Sequence, residues 1–412
     1  QGLFSGVNKD VGEIIVADFF GLDWDQILRP LPEPILITGN PPWVTSADLG
    51  ALSSGNLPAK TNFKSLHGLD ARTGKSNFDI AEWMILRLLS ALRGRRATLA
   101  MLCKTAVARR VIEFAGASIG PGGLWRIDAK AHFGAAVDAS WFVCHTGPEP
   151  ARGSRWPVSD SLDSAIPSST MHVIGESLIA DVDAFRRTEG LMGRCEPEWR
   201  SGIKHDCARV MELSVDGSGL RNGFGERVEA EGDFVFPLLK SAAVANGGIG
   251  DPRFVIVPQR ALGEGTDGLR ERAPRLWAYL SAHRERLRAR RSSIYRGQPD
   301  FAVFGVGPYS FAPWKVAISG LYKRLAFALI PPVNGRPVML DDTCYFLPFD
   351  NEVAARAAFE ALRSPEAEAF FQARIFWDAK RPITKAVLQT IDLPKLLAGA
   401  AIGPPRSKES PR

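Results

Sequence analysis

The sequence predicts the α/β fold class: a partial Rossmann-like sheet, parallel with an antiparallel final strand, followed by a mixed α+β domain. Three observations support this. Strand-like and helix-like runs alternate over the first 150 residues or so. A short turn separates the last two of these strands, which permits an antiparallel pair. From about residue 195 onward, short strands and many Gly and Pro turns replace the alternation.

The first two strands are predicted over residues 13–17 and 35–38. Both runs are short, continuous and rich in β-branched residues, as is typical of buried parallel strands. The next element is a helix over 77–92, because its apolar residues cover one broad face and Asn77 can act as the N-cap.

The remaining elements of the first part follow the same pattern. A strand over 97–103 and a helix over 105–117 come next, and strands over 124–129 and 140–145 complete the alternation. The segment 45–76, between the second strand and the first helix, is a long polar loop, and loops of this kind are usually functional or mobile.

Composition divides the chain into four parts. Residues 1–147 hold the alternating elements, and a stretch rich in Gly, Pro, Ser and Asp indicates a linker over 148–194. A second domain is expected over 195–400. Residues 401–412 are rich in Pro and charge, which predicts a disordered tail.

The 412 residues carry 51 basic and 45 acidic side chains, a net charge of +6, and 45% of them are hydrophobic. This balance is typical of a folded soluble protein. No apolar run reaches the roughly 18 residues that a membrane span needs, so no membrane contact is expected. Five cysteines without a C-x-x-C pair fit a reducing cytoplasm and do not indicate a zinc ribbon. The six histidines are scattered, and no metal site is expected.

The sharpest chemical signal is the run Asn40-Pro41-Pro42-Trp43, directly after the second strand. In an open α/β sheet, ligands bind outside the carboxyl ends of the strands. The Asn40 side-chain oxygen and the Pro41 carbonyl can accept the two N–H bonds of an exocyclic amine. Consecutive prolines hold these acceptors rigidly, and Trp43 offers a flat face on which a base can stack. An ordinary Pro-rich turn with a core Trp is the alternative.

This run resembles the catalytic signature Asn/Asp-Pro-Pro-aromatic of adenine-specific (N6) DNA methyltransferases of the bacterial restriction–modification type. The order of motifs is similar to the gamma arrangement, in which the catalytic motif precedes the DNA-specificity domain. The resemblance extends over most of the chain and includes residues 36–39, 56–58, 74–80, 200–206, 304–315 and 380–385.

The resemblance implies roles for particular residues. In the catalytic run Asn40-Pro41-Pro42-Trp43, Asn40 and Pro41 would orient the target amine, and Trp43 would hold the base. Phe133 would stack on the other face of the flipped adenine, opposite Trp43; its alternative role is a core Phe.

The resemblance also implies a cofactor, S-adenosylmethionine. Asp18 and Phe19, at the end of the first strand, would contact it together with Asn77. The alternatives are an Asp that caps a turn and an Asn that caps a helix.

The family binds its cofactor with an aromatic-x-Gly-x-Gly loop and a following acidic residue, which in this motif order precede the catalytic run. Only 39 residues precede Asn40, and a βαβ unit takes about 30 residues or more. The expectation is therefore that an N-terminal cofactor-binding segment or subunit supplies this part. The similar letters Phe304-Gly305-Val306-Gly307 are followed by Pro308 and are expected to form a tight turn.

Residues 282–296 carry six arginines and one glutamate in a helix-like run. Surface charge runs usually mix signs, so this one indicates contacts with DNA phosphates and a steep salt dependence of binding. Two other basic groups, near Trp314 and near residue 380, are further candidates. The predicted DNA-contacting residues are Arg284, Arg286, Arg288, Arg290, Arg291, Lys315, Lys380 and Arg381.

The sequence thus predicts methyl transfer to the N6 amine of a flipped adenine in double-stranded DNA. Residues 1–147 would be the catalytic domain and 195–400 the target-recognition domain, with a cognate restriction nuclease as a further partner. One alternative is a DNA-binding specificity chain without independent activity. Another is a protein glutamine methyltransferase, which the large basic C-terminal domain disfavours.

Overall fold

The computed structural model describes residues 14–44, 79–149, 155–174, 177–217, 219–247 and 253–402. The chain forms two compact units, Gln1–Val182 and Asp183–Arg412. In the described residues, no helix is both long and apolar enough to span a membrane.

The first unit is built on one seven-stranded sheet with the strand order β1-β2-β4-β3-β5-β6-β7. β1 and β2 are parallel, and β4 lies antiparallel between β2 and β3. The predicted α/β sheet with an antiparallel final strand is therefore confirmed. The strands are β1 Ile35–Gly39, β2 Ala97–Lys104, β3 Gly120–Ile127, β4 Ala139–Thr146, β5 Arg155–Ser159, β6 Ser169–Ile174 and β7 Ser177–Ile179.

In the described residues, four α-helices accompany this sheet: α1 Trp24–Leu28, α2 Ile80–Ala91, α3 Thr105–Ala115 and α4 Ala129–Phe133. α2 is buried along most of its length because apolar side chains dominate it. Its N-cap is Asp79, whose carboxylate accepts from the Ala81 N–H. Asn77, the predicted N-cap, lies outside the described residues.

The first predicted strand is wrong over residues 14–17, which are exposed and outside regular structure. Ile14 and Val16 are 88% and 96% exposed. A β-branched run favours the extended backbone, but a strand also needs a neighbour to satisfy its hydrogen bonds. The second strand is confirmed as β1, although it lies at the sheet edge and leaves Leu36 exposed.

Residues 148–194 differ from the expected linker. β5, β6 and β7 extend the first sheet through this segment, and the first compact unit ends at Val182. Trp156 and Met171 are buried in it. The Gly, Pro and Ser that suggested a linker occur in part in the turns between these short strands.

The second unit contains two sheets, of six and four strands, in the orders β11-β10-β9-β13-β12-β16 and β15-β14-β17-β8. Most of their pairs are antiparallel. The strands are β8 Arg200–Ser201, β9 Glu212–Asp216, β10 Gly219–Asn222, β11 Arg227–Val228, β12 Val235–Leu239, β13 Arg253–Ile256, β14 Trp314–Ser319, β15 Phe327–Ile330, β16 Met339–Leu340 and β17 Cys344–Phe349.

Ten α-helices in the described part of the chain complete the second unit, which confirms a mixed α+β architecture. They are α5 Val182–Thr188, α6 Ala208–Met211, α7 Ser241–Ala245, α8 Leu269–Arg272, α9 Pro274–Ala282, α10 Arg284–Arg288, α11 Glu352–Leu362, α12 Pro365–Gln372, α13 Lys385–Leu388 and α14 Leu393–Ile402. The predicted basic helix is interrupted at His283, so its arginines fall on the five-residue α10 and on the segment after it.

Candidate functional site

The run Asn40-Pro41-Pro42-Trp43 leaves the carboxyl end of β1, where the sequence placed it. The side chain of Asn40 is exposed, whereas Pro41 is buried beneath it and Trp43 is half-buried. The two prolines have fixed φ angles and no N–H groups. An exposed amide is thus carried on a stiff backbone at the edge where α/β sheets bind ligands.

Two hydrogen bonds tie the far end of this run to neighbouring elements. The indole Nε1–H of Trp43 donates to the Leu102 carbonyl of β2 at 3.4 Å. The next residue, Val44, accepts from the backbone N–H of Ile80 at the start of α2, at 3.0 Å. The Trp43 ring is therefore fixed against the sheet, and the chain on either side of residues 45–78 is joined at the base.

An ion pair that the sequence did not indicate lies beside these bonds. Lys104, the last residue of β2, donates from Nζ to Asp79 Oδ2 at 2.8 Å. Asp79 is 4% exposed, and its other oxygen caps α2. In the sequence, the signal for this pair is slight: a polar residue, Lys104, ends a strand close to the predicted catalytic run. Lys104 thus links the end of β2 to the start of α2, next to the Asn40–Trp43 run.

Phe133 is the last residue of α4, the short helix after β3. Gly134 then ends the helix in the left-handed region at φ 66°, where glycine meets no steric cost. Phe133 is 54% exposed, so it is not a core Phe. The structure brings it to Trp43: their ring centroids are 6.2 Å apart and the planes are perpendicular at 88°. In this arrangement the two rings form an edge-to-face pair and do not face each other as a sandwich.

Asp18 lies on a turn and not at a strand end. Its carboxylate accepts from the Phe20 N–H at 3.1 Å and caps the 3₁₀ helix Phe19–Gly21. Phe19 packs on Trp24, with centroids 4.5 Å apart, and Phe20 packs on Trp83 of α2 at 5.0 Å. Asp18 remains exposed, while Phe19 is half-buried. Asn77, the third predicted cofactor residue, lies outside the described residues.

One comparison decides the family of the chain. It is 42% identical over 395 residues to the Type II methyltransferase M.NspV from a Nostoc species, and the match covers 94% of this chain and 81% of that protein. The chain belongs to the Type II methyltransferase family. No protein-family model matches it.

Solved structures resemble this methyltransferase only distantly. The Type IIL restriction–modification enzyme MmeI in complex with DNA is 13% identical with a TM-score of 0.46; the match covers 96% of this chain and 58% of that one. The Type IIG restriction endonuclease BpuSI is 13% identical with a TM-score of 0.29, over 95% of this chain and 52% of that one. Likenesses this weak carry no argument about the site.

In the methyltransferase chain, two of the predicted DNA-contacting arginines are engaged by one carboxylate. Arg288 donates from Nε and Nη2 to the two oxygens of Asp300, at 3.1 and 2.9 Å. Arg284 lies 3.5 Å from the same carboxylate, and its guanidinium lies over the rings of Trp277 and Phe301. One of the two positive charges expected from these residues is therefore neutralised within the protein.

Arg290 is a correction to the sequence prediction. Its guanidinium donates to the carbonyls of Leu287, His205 and Ala302 and lies 3.7 Å from the centroid of the Tyr295 ring. Burial lowers the pKa of this guanidinium. Its donors hold the loop after α10, so we assign Arg290 a structural role.

Lys315 is a second correction, because it is 1% exposed and cannot contact DNA from this position. β14 is buried over nearly its whole length, so the alternation of a surface strand does not apply to it. The ammonium donates to the Ala312 carbonyl at 2.6 Å. This bond closes the end of the loop that contains Gly305 and Gly307. Gly305 has φ 72° and a bridge forms at its neighbour Phe304, in agreement with a tight turn.

Arg286, Arg291, Lys380 and Arg381 have exposed side chains. They are available to a polyanion, and their contact with DNA stays a prediction.

The buried Lys315 predicts a pH dependence of stability. Burial lowers its pKa from 10.5 to about 7. Between these values the unfolded chain holds the proton and the native chain does not, so this group makes stability rise with pH by up to about 1.4 kcal/mol per unit. We expect Lys315→Met to be more stable than the wild type at pH 6.5 and to lose this rise between pH 7 and 9.

Urea unfolding at each pH measures the effect as the difference between the wild type and the variant. Lys380→Met, which removes an exposed lysine, is the matched control and should keep the wild-type slope. Parallel curves for Lys315→Met and the wild type would contradict an uncompensated buried ammonium.

Proposed function

We propose that this chain transfers a methyl group from S-adenosylmethionine to the N6 amine of a flipped adenine in double-stranded DNA, as part of a restriction–modification or phage-defence system. The observation that carries the proposal is the exposed Asn40 amide on a rigid, doubly anchored Pro-Pro-Trp segment at a strand end. Membership of the Type II methyltransferase family supports it.

The chemical task is to make a weak nucleophile reactive. The lone pair of an aromatic amine is delocalised into the ring. Two acceptors aimed at its two N–H bonds draw the nitrogen toward tetrahedral geometry, and the Asn40 side-chain oxygen and the Pro41 carbonyl are these acceptors. Because the prolines fix the backbone before substrate arrives, little reorganisation accompanies the reaction.

No general base is assigned. The amine proton can leave after methyl transfer, so the first step needs no base. Lys104, the last residue of β2, is bound to Asp79 at 2.8 Å and is not poised to accept a proton. We assign it to holding the site together.

Trp43 and Phe133 are proposed to bind the flipped base. Extrusion of a base costs a few kcal/mol, and stacking on an aromatic ring recovers about 1–3 kcal/mol. Trp43 is held by Leu102, whereas Phe133 is 54% exposed at the end of a short helix. We therefore propose that Phe133 turns from its edge-to-face position when the base enters.

The residues proposed to contact the cofactor are suited to its adenosine end. The exposed carboxylate of Asp18 is an acceptor for an adenine amine or a ribose hydroxyl, and Phe19 offers an aromatic edge beside it. When bound, S-adenosylmethionine supplies an electrophilic methyl group. We propose that a further cofactor-binding segment or subunit pairs with the exposed edge strand β1, where Leu36 is 68% exposed.

The second unit is proposed to bind the target DNA, and a cognate restriction nuclease is the expected partner in the cytoplasm. The alternative is a specificity chain that binds DNA without independent activity. It is favoured by one observation: the run Phe304-Gly305-Val306-Gly307, whose letters are similar to those of the cofactor loop, forms a turn before a 3₁₀ helix.

The test is methyl transfer by the purified chain. The chain is incubated with labelled S-adenosylmethionine and unmethylated duplex DNA, which is then digested to nucleosides. We expect label on N6-methyladenine. Label on cytosine, or on protein alone, would refute the proposal, and a folded chain that binds DNA but transfers no methyl group would favour the specificity-chain alternative.

A further inference from the structure

We propose that Arg209 and Arg286, held together on the ring of Phe224, form a binding site for phosphodiester groups of the DNA backbone. We call these three residues the arginine clamp. Arg209 and Phe224 carried no signal in the sequence, and the inference rests on the proposed DNA-directed function.

The clamp is built on the turn between β10 and β11. Phe224 lies in this turn, where its N–H donates to Asn222 Oδ1 at 2.9 Å. The guanidinium carbons of Arg209 and Arg286 lie 4.1 and 4.6 Å from the centroid of its ring. His283 stacks nearly parallel to the ring at 6.0 Å and 7°. Phe224 thus joins the start of α6 to α10.

Both guanidinium groups are exposed but fixed. The Nε–H of Arg209 also donates to the Gly223 carbonyl at 3.3 Å, and the ring contact orients the planar head of each arginine. Cation–π contact restricts these long side chains before a ligand binds. Less conformational entropy is then lost on binding.

The charges of the clamp are not compensated by the described residues. The two guanidinium carbons are at most about 9 Å apart, since both lie on one ring. The nearest acidic side chain of the turn, Glu226, accepts from Asn222 Nδ2 at 2.6 Å and pairs with His283 at 3.0 Å. Neither Arg209 nor Arg286 has an ion pair with a carboxylate in the described part of the chain. Two like charges held this close are stabilised by an external anion.

The contrast with the rest of the basic segment makes the clamp specific. On the same helix, Arg288 donates from Nε and Nη2 to Asp300, and after that helix Arg290 donates to three backbone carbonyls. Arg286 differs from both, because it is exposed and its guanidinium lies on the same aromatic ring as that of Arg209. A guanidinium fork matches a phosphodiester in geometry as well as in charge.

The experiment compares Arg209→Gln, Arg286→Gln and the double variant with Arg356→Gln as the matched control, since Arg356 is an exposed arginine of the same unit that pairs with Glu352. Binding of the full chain to a labelled duplex is followed by fluorescence anisotropy between 50 and 200 mM KCl. Each clamp variant should lower the slope of log affinity against log salt by about 1, and the double variant by about 2. Arg356→Gln should keep the wild-type slope, because Arg356 lies outside the predicted DNA-contacting residues and already pairs with Glu352.

Thermal unfolding shows whether each variant is folded, and Arg286→Lys, which keeps the charge, should restore most of the slope. A folded double variant with the wild-type slope overturns the clamp and leaves DNA binding by the chain intact. If the wild type itself binds no duplex at 50 mM KCl, the DNA-directed function fails as well as the clamp.

Discussion

Asn40→Ala is expected to reduce methyl transfer by about 10³-fold or more while DNA affinity stays within about threefold of the wild type. Loss of one hydrogen-bonding group that acts in a transition state costs about 10²–10³ in rate. The amide of Asn40 also positions the amine before the reaction, so the loss falls at the upper end or beyond. Asn40 is exposed, and its removal leaves the bonds of Trp43 and Val44 intact.

Single-turnover transfer on saturating duplex measures this effect apart from binding. Asn40→Asp is the matched variant, since it keeps an acceptor oxygen at the same place and should retain measurable turnover. Thermal unfolding of both variants should match that of the wild type. Substantial turnover by Asn40→Ala would show that the Asn-Pro-Pro-Trp run is only a turn.

The position of the Asn-Pro-Pro-Trp segment could be predicted from the sequence because its signal is local. A strand followed directly by Asn40-Pro41-Pro42-Trp43 defines both the position and the rigidity of the acceptors, and neither depends on distant residues. The approach of Phe133 to Trp43 was expected only from family resemblance. The perpendicular arrangement of their rings depends on tertiary packing, which no pattern in the sequence indicates.

The basic residues were less predictable because charge alone does not show where a side chain points. Arg290 and Lys315 are basic residues in basic segments, as Arg286 is. Unlike Arg286, they donate hydrogen bonds to backbone carbonyls of the protein. Asp300 binds Arg288 from 12 residues away. Partners of this kind are set by tertiary packing. The basic composition of these segments therefore predicted a basic surface but not which arginines and lysines form it. The strand predicted over residues 14–17 is wrong for the same reason, because strand formation depends on a neighbouring strand as much as on propensity.

The ion pair between Lys104 and Asp79 gives the second large expected effect. Lys104→Met leaves the carboxylate of Asp79 buried without its cation, and breaking a buried pair from one side costs about 3–5 kcal/mol. Lys104 keeps some access to water, with 23% of its side chain exposed, so we expect about 3 kcal/mol of lost stability. Arg87→Met breaks an exposed pair from the same helix, with Asp25 at 3.0 Å, and should cost less than about 1 kcal/mol.

Asp79→Asn removes the charge of residue 79 but keeps the N-cap of α2, because Asn is an equally good N-cap. Combined with Lys104→Met, it removes both charges, and the double variant should recover most of the stability that Lys104→Met loses in urea unfolding. Turnover should behave differently. The pair joins the end of β2 to the start of α2, and these elements hold Trp43 through Leu102 and Val44 through Ile80. A neutral double variant restores the charge balance but not this link. Its turnover should therefore stay at least tenfold slower than that of the wild type at saturating DNA. Full recovery of both stability and turnover would mean that the pair serves stability alone.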